Sequence, residues 1–468
     1  ELQLAMLNNQ QREIRQIERF IERFRYKNTK ARQVQSRIKM LDKMERIEID
    51  EMDQTTFHFR FPESPRAGKV IAEADHLTKA YGSHIVLNKI SFPVIKNDKI
   101  ADFGKMDTCP ELESDYLIEI DATGKLVLPS FCDSHTHIVY AGSREIEYSD
   151  KIRGLSYEEI AKRGGGILNS AKLLHQTSED DLYEQSMQRI HEIISQGTGA
   201  VEIKSGYGLN PEDEIKMLRV IKRIKETTPL IVKSTFLGAH AFPSEYKTNK
   251  DAYVDVVINE MIPQVAAEDL ADYIDVFCDK GFFNVEQTER ILMSGIKYGM
   301  RPKIHANELA ASGGIQAGVK YNALSVDHIE YTDNPEIEAL LESETMPTIL
   351  PGAAFFLNMP WAPARKMIEA GLPVAIASDY NPGSSPTGNM KLMMSFACVN
   401  YKMLPQEALN AVTINSAYAM GVSDIVGSIA IGKVANLFIT KEIPNLEFLP
   451  YAYGSDLIDT IILKGEIL

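Results

Sequence analysis

Cysteine is scarce in this chain. Four occur in 468 residues (Cys109, Cys132, Cys278 and Cys398), and no two form a Cys-x-x-Cys pair. That scatter excludes a disulfide framework and a thiolate zinc site of the usual spacing, and it suits a reducing compartment. Long apolar runs are also missing, so nothing reaches the roughly 20 residues that cross a bilayer. The amino terminus is polar and charged rather than a signal segment. A cytoplasmic protein with no membrane association is expected. Positive charge is in deficit, with 50 Lys and Arg against 65 Asp and Glu and a net charge of -15. This argues against nucleic-acid binding by the protein as a whole. A phosphate-cradling Gly-x-x-x-x-Gly-Lys-Ser/Thr loop is absent as well.

What is present is the make-up of a soluble globular protein, 44% hydrophobic and 25% charged, long enough for two or three domains. Three stretches differ in character. Residues 1–50 place Ile14, Ile17, Ile21 and Phe24, then Val34, Ile38 and Leu41, at helical spacing among many Lys and Arg, which predicts a charged helical hairpin. Residues 51–102 alternate short β-like runs with turn residues. From there on, apolar strand candidates recur at 126–138, 200–207, 230–240, 273–278, 302–305, 323–329, 346–350 and 373–378, with amphipathic helical segments such as 211–227 and 284–298 between them. Eight strands with crossovers predict an α/β fold, a parallel (β/α)₈ TIM barrel over about 127–424. Residues 103–126 and 425–468 are expected to form the two parts of a small composite β domain.

In such a barrel the chemistry sits at the carboxyl ends of the strands. Five of the ten histidines fall there: His135, His137, His240, His305 and His328. His135-Thr136-His137 is the most telling, because strand side chains alternate and both imidazoles project the same way. Three imidazoles and one carboxylate suit Zn²⁺ or an iron ion better than Mg²⁺. His135, His137, His305 and Asp379 are therefore expected to bind one divalent or trivalent metal ion, zinc or iron, leaving a position for water whose pKa falls toward neutrality. Asp379 is placed to accept that water's proton, and His328 to polarise a scissile carbonyl. A second, bridging metal would draw on Asp279 or Lys280, and one metal is preferred.

The motifs around these residues resemble the amidohydrolase superfamily and, within it, the imidazolonepropionase family. They are Asp133-Ser134-His135-Thr136-His137, Ala141-Gly142-Ser143-Arg144-Glu145, Gly164-Gly165-Gly166-Ile167, Glu202-Ile203-Lys204-Ser205-Gly206-Tyr207-Gly208-Leu209, Thr235 to His240, Asp275 to Cys278, and Asp379-Tyr380-Asn381-Pro382-Gly383-Ser384. The resemblance covers residues from about 95 to 468. It implies hydrolysis of the cyclic amide of 4-imidazolone-5-propanoate to N-formimidoyl-L-glutamate in histidine degradation, by a homodimeric enzyme acting on a small molecule. Arg144 offers a planar fork for the propionate. Tyr157, Tyr207 and His240 can donate hydrogen bonds to the substrate. Glu308 can hold a ring nitrogen or shuttle a proton, and Asn381, Gly383 and Ser384 can contact the amino-acid end of the product. A heterocycle deaminase of the same superfamily is the neighbouring alternative.

Residues from 1 to about 102 are similar instead to ABC-F proteins. Ile21 to Lys27 and Lys30 to Arg37 match the linker between their ATPase domains, and Leu77 to Gly82 and Val86 to Phe92 match the opening strands of the second ATPase domain. A ribosome-associated role is the alternative that this stretch suggests, and the missing phosphate loop removes ATP binding from it. The two resemblances meet near Val94 to Lys105, where the sequence fits either family, which points to a recombined or misassembled reading frame rather than an evolved bifunctional enzyme. Most of the opening strands of the small β domain are expected to be missing in consequence.

Overall fold

The structure is a computed structural model. It describes residues 69–73, 77–81, 84–90, 92–104, 117–155 and 166–468. The expected helical hairpin at 1–50 lies outside the described residues, as does Tyr157.

Strand β1 (Lys69–Glu73) belongs to a four-stranded sheet. The strands β2 (Leu77–Tyr81) and β3 (His84–Ile90) form an antiparallel pair of their own. In the four-stranded sheet β1 lies between β4 (Phe92–Lys96) and β6 (Leu117–Asp121), with β5 (Lys99–Gly104) on the far side of β4. The ABC-F-like stretch thus supplies a strand to this sheet, antiparallel to β4 and parallel to β6.

The apolar run at 126–138 serves two sheets rather than one. Its first part, β7 (Val127–Pro129), joins the carboxyl-terminal strands, and its second, β8 (Phe131–Thr136), opens the barrel. The barrel continues through β9 (Thr198–Lys204), β10 (Ile231–Ala239) and β11 (Tyr273–Cys278), with the short β12 (Arg301–Pro302) and β13 (Ile304–Ala306) both paired to β11. It ends with β14 (Ser325–His328), β15 (Met346–Ile349) and β16 (Ala375–Ile376). All these pairings are parallel. Closure falls at the site itself: the Asp379 N–H donates to the His135 carbonyl at 3.0 Å, and the His137 N–H donates to the Tyr380 carbonyl at 2.9 Å. This is the TIM barrel that the spacing predicts.

The helices between the strands follow from local chemistry. The helix Pro211–Thr227 starts where the Asn210 side chain accepts from the Asp213 N–H and proline occupies the first turn. It buries Ile215, Leu218, Ile221 and Ile224 at helical spacing.

The tail adds β17 (Leu437–Thr440), β18 (Ile458–Leu463) and β19 (Glu466–Ile467), antiparallel beside β7. Ile95, Ile100 and Ala122 pack against Ala435, Leu437, Ile439 and Ile462 in one apolar cluster. Segments from both sides of the barrel sequence therefore share a core. No helix among the described residues is long and apolar enough to cross a membrane.

Candidate active site and metal centre

His135, His137, His305, His328 and Asp379 gather at one mouth of the barrel, each no more than 3% exposed. The ring centroids of His135 and His305 lie 4.4 Å apart, and those of His135 and His137 lie 5.3 Å apart. Asp379 Oδ1 is 3.6 Å from Nε2 of both His135 and His137. Three overlapping sets of side chains place one donor atom each within 4.8 Å of the others: His135, His137 and Asp379; His135, His305 and His328; and His137, His240 and His305.

The donor atoms fit a cation. His135 Nε2, His137 Nδ1 and both ring nitrogens of His305 are buried with no hydrogen-bond partner, and orphaned polar atoms in a dry site are costly unless something binds them. Carboxylates stand behind two of these rings. His135 Nδ1–H donates to Asp327 at 2.7 Å, and His305 Nδ1 lies 3.0 Å from Asp275 without the alignment of a hydrogen bond. A backed Nδ1 directs the Nε2 lone pair into the pocket, the usual arrangement of a metal-binding imidazole. Burial holds His135 and His137 well below the ordinary histidine value, with neighbouring Lys204 and imidazoles adding to the effect, so both rings are neutral donors.

Backbone geometry marks the same place. His328 (φ +79°), Ile329 (+62°) and Asp379 (+55°) all sit in the left-handed region, which costs a non-glycine residue about 1–3 kcal/mol. Ser384 Oγ donates to Asp379 Oδ2 at 3.0 Å and helps to aim it. Glu308 lies 3.7 Å from His328 Nε2, and Glu330 lies 3.8 Å from His328 Nδ1. Burial works against a charge on His328, but Glu308, Glu330 and Asp379 outweigh it and lift the imidazole to about 10. Burial pushes the Glu308 carboxyl up to about 7 against the pull of His328. The pair is thus an imidazolium beside a carboxyl that can hold or release a proton near neutral pH.

The other expected residues within the described region have these places. His240 stacks on His137 with centroids 5.1 Å apart, and its Nδ1–H donates to the Gly206 carbonyl at 3.0 Å. The Tyr207 ring lies 5.5 Å from His240, and burial raises its hydroxyl pKa. Arg144 donates Nε and one terminal nitrogen to Glu147 Oε2 at 3.0 and 2.6 Å. Its other terminal nitrogen packs on Gly383, where a Cβ would lie only 2.1 Å away. Asn381 spends its amide inside its own loop, accepting from the Gly383 and Ser384 N–H groups and donating to Asp379 O and Ser384 Oγ. Asp279 accepts from the Leu309 and Lys280 N–H groups at 2.8 and 2.6 Å. Cys132 and Cys278 are buried and unpaired, with burial raising their thiols to about 12 and about 11, so neither is poised as a thiolate.

The sequence reading missed the residues behind the site: Asp275 and Asp327 behind two imidazoles, Glu147 behind Arg144, and Glu330 behind His328. For Asp275 and Asp327, a charged residue inside an otherwise apolar strand was the available signal; Glu147 on its helix and Glu330 after its strand carried none.

The sequence profile of the amidohydrolase family matches residues 126–468. An imidazolonepropionase of Flavobacterium johnsoniae is 57% identical over 380 residues, covering 81% of this chain and 92% of the relative. The chain belongs to the imidazolonepropionase family. The same fold is found at lower identity among solved structures. A 5-methylcytosine deaminase from Klebsiella pneumoniae superposes with a TM-score of 0.67 at 17% identity, covering 86% of this chain and 97% of that one. An adenosine deaminase from Xanthomonas campestris with bound zinc superposes at 0.60 and 17% identity, covering 86% and 93%. These confirm the fold in which the imidazolonepropionase site is set. A profile described as ABC transporter matches residues 1–59, outside the described region.

Proposed function

We propose that this chain hydrolyses the cyclic amide C–N bond of 4-imidazolone-5-propanoate to N-formimidoyl-L-glutamate. The observation that carries this reading is the gathering of His135, His137, His305 and Asp379, with orphaned nitrogens, in a chain 57% identical to an imidazolonepropionase. Those four residues would hold one zinc or iron ion, which when bound supplies a Lewis acid and lowers the pKa of a coordinated water toward neutrality.

The chain's own groups do the rest. Burial raises the basicity of Asp379, so its carboxylate can take the proton of the attacking water. The His328 imidazolium donates toward the ring carbonyl as charge builds on oxygen. Glu308, lifted to about 7, can pass a proton to the departing ring nitrogen. Arg144 grips the propionate, with Glu147 fixing its plane. Tyr157, Tyr207 and His240 orient the ring. Asn381, Gly383 and Ser384 bear on the amino-acid end of the product through the loop they build.

We place the enzyme in the cytoplasm as a homodimer. The amino-terminal ABC-F-like stretch is read as the product of a recombined or misassembled reading frame. One uninterrupted frame across the codons for Ala80 to Ile120 in independent isolates would overturn that part. For the activity, His305→Ala is assayed by metal analysis together with the ultraviolet loss of imidazolonepropionate. Metal and turnover should fall together, and retained turnover would remove the site assignment. Ammonia released without ring opening would favour a heterocycle deaminase instead.

A further inference from the structure

Beneath the ligand nitrogens lies a layer of buried charge. Glu202, Lys204, Asp275, Lys303 and Asp327 are each 0% exposed inside the barrel. Strand alternation puts Glu202 and Lys204 on the same inward face of β9. Buried charge persists only when paired and hydrogen-bonded, and here each group has a defined partner. Lys204 Nζ donates to Glu202 Oε1 at 2.7 Å and to Asp275 Oδ2 at 2.8 Å, and lies 3.6 Å from Asp327 Oδ2. Asp275 also accepts from the His305 backbone N–H at 3.1 Å, and Asp327 accepts from Ser325 Oγ at 2.5 Å. One ammonium therefore touches both carboxylates that back metal-binding imidazoles, although those imidazoles stand on β8 and β13.

Lys303 is an internal contrast. It is equally buried and also bonds Glu202, but its other bonds go to the main-chain carbonyls of Ser134 at 3.2 Å and Ala419 at 3.1 Å. It shares the layer without reaching either aspartate.

We propose that Lys204 is the positioning residue of the metal centre: it bridges Asp275 and Asp327 and so holds His305 and His135 with their Nε2 lone pairs turned together into the pocket. This rests on the metal-dependent reading above. Without the ammonium, Asp275 and Asp327 become neighbouring anions with no shared cation. Like charges at that range in a dry interior repel, and carboxylates that move apart no longer stand behind the two imidazoles to hold their rings in place.

The test compares Lys204→Met with Lys303→Met in the full chain. Zinc affinity is measured by chelator competition, and ligand geometry by the visible spectrum of the Co²⁺-loaded protein. Loss of an outer partner costs about 10- to 100-fold in metal affinity. A loss in that range with an altered Co²⁺ spectrum is expected for Lys204→Met, whereas Lys303→Met should keep both near wild type. Equal losses in the two variants, or wild-type affinity and spectrum in Lys204→Met, would overturn the proposal. Lys204→Gln, which keeps a donor but not the charge, is the second variant and should lose affinity likewise. A third measurement needs no variant. Nitrogen-15 spectra of histidine-labelled, metal-free protein should show His135 and His305 protonated at Nδ1, and an Nε2-protonated ring at either position refutes the arrangement. Failure of the wild-type chain to bind metal at all would instead sink the metal-dependent reading itself, so the two failures are distinct.

Discussion

Replacing Gly383 by alanine is the sharpest single test of the substrate grip. The new Cβ would lie 2.1 Å from one Arg144 terminal nitrogen and 2.9 Å from its Cζ, far inside van der Waals contact. The intruded group is the tip of a flexible side chain, so the fold yields at low cost and the guanidinium moves. Moving it breaks the two bonds to Glu147 at 3.0 and 2.6 Å and takes the fork out of the plane that meets a carboxylate. A hydrogen bond to a charged group contributes about 1.5–3 kcal/mol, so losing one such contact lowers kcat/KM by about 10- to 100-fold. The loss should appear mainly in KM, because the propionate is gripped alike in ground and transition states. Steady-state kinetics against imidazolonepropionate measure it, with a melting curve to show that the fold survives. An uncharged tail amide of the substrate, turned over slowly by wild type, should be indifferent to the change. If kcat/KM for the natural acid shifts by less than about threefold, or if acid and amide suffer equally, Arg144 does not hold the propionate.

Glu214 accepts the N–H groups of Gly206, Gly208 and Leu209 at 3.1, 2.8 and 3.0 Å. Glu214→Ala should therefore cost about 3–5 kcal/mol in denaturant unfolding, through three buried donors left unpaired. Glu308 is raised from 4.5 to about 7 on folding, so the folded chain binds the extra proton between those values and loses stability as pH rises through that window. Glu308→Gln should accordingly stabilise the metal-free protein by up to about 3 kcal/mol at pH 8 and by nothing near pH 4, read from urea unfolding at both. A chelator should lower the melting temperature of metal-loaded protein, since ligand at about a thousand times its Kd adds about 4 kcal/mol. An unchanged melting curve would mean that no ion is held by the folded state.

Much of the architecture was legible because its signals are local. Period-two alternation made His135 and His137 convergent, and the rhythm of apolar runs marked eight strands whose ends carry His240, His305, His328 and Asp379. Other features were not legible. The run at 126–138 reads as one strand, yet Ser130 lies at a switch where the chain leaves the tail sheet for the barrel, a decision made by partners on β17 and β9. The segment at 69–73 reads as part of another family, and only its pairing with β4 and β6 gives it a place.

Sequence alone determined which groups could bind a cation and on which strand ends they stand, because side-chain direction along a strand is fixed by the backbone's own period. Tertiary structure alone decided what stands behind them. Lys204 meets Asp275 across 71 positions and His135 meets Asp327 across 192. Barrel closure sets those meetings, and no property of either residue or its chain neighbours specifies a partner so far away.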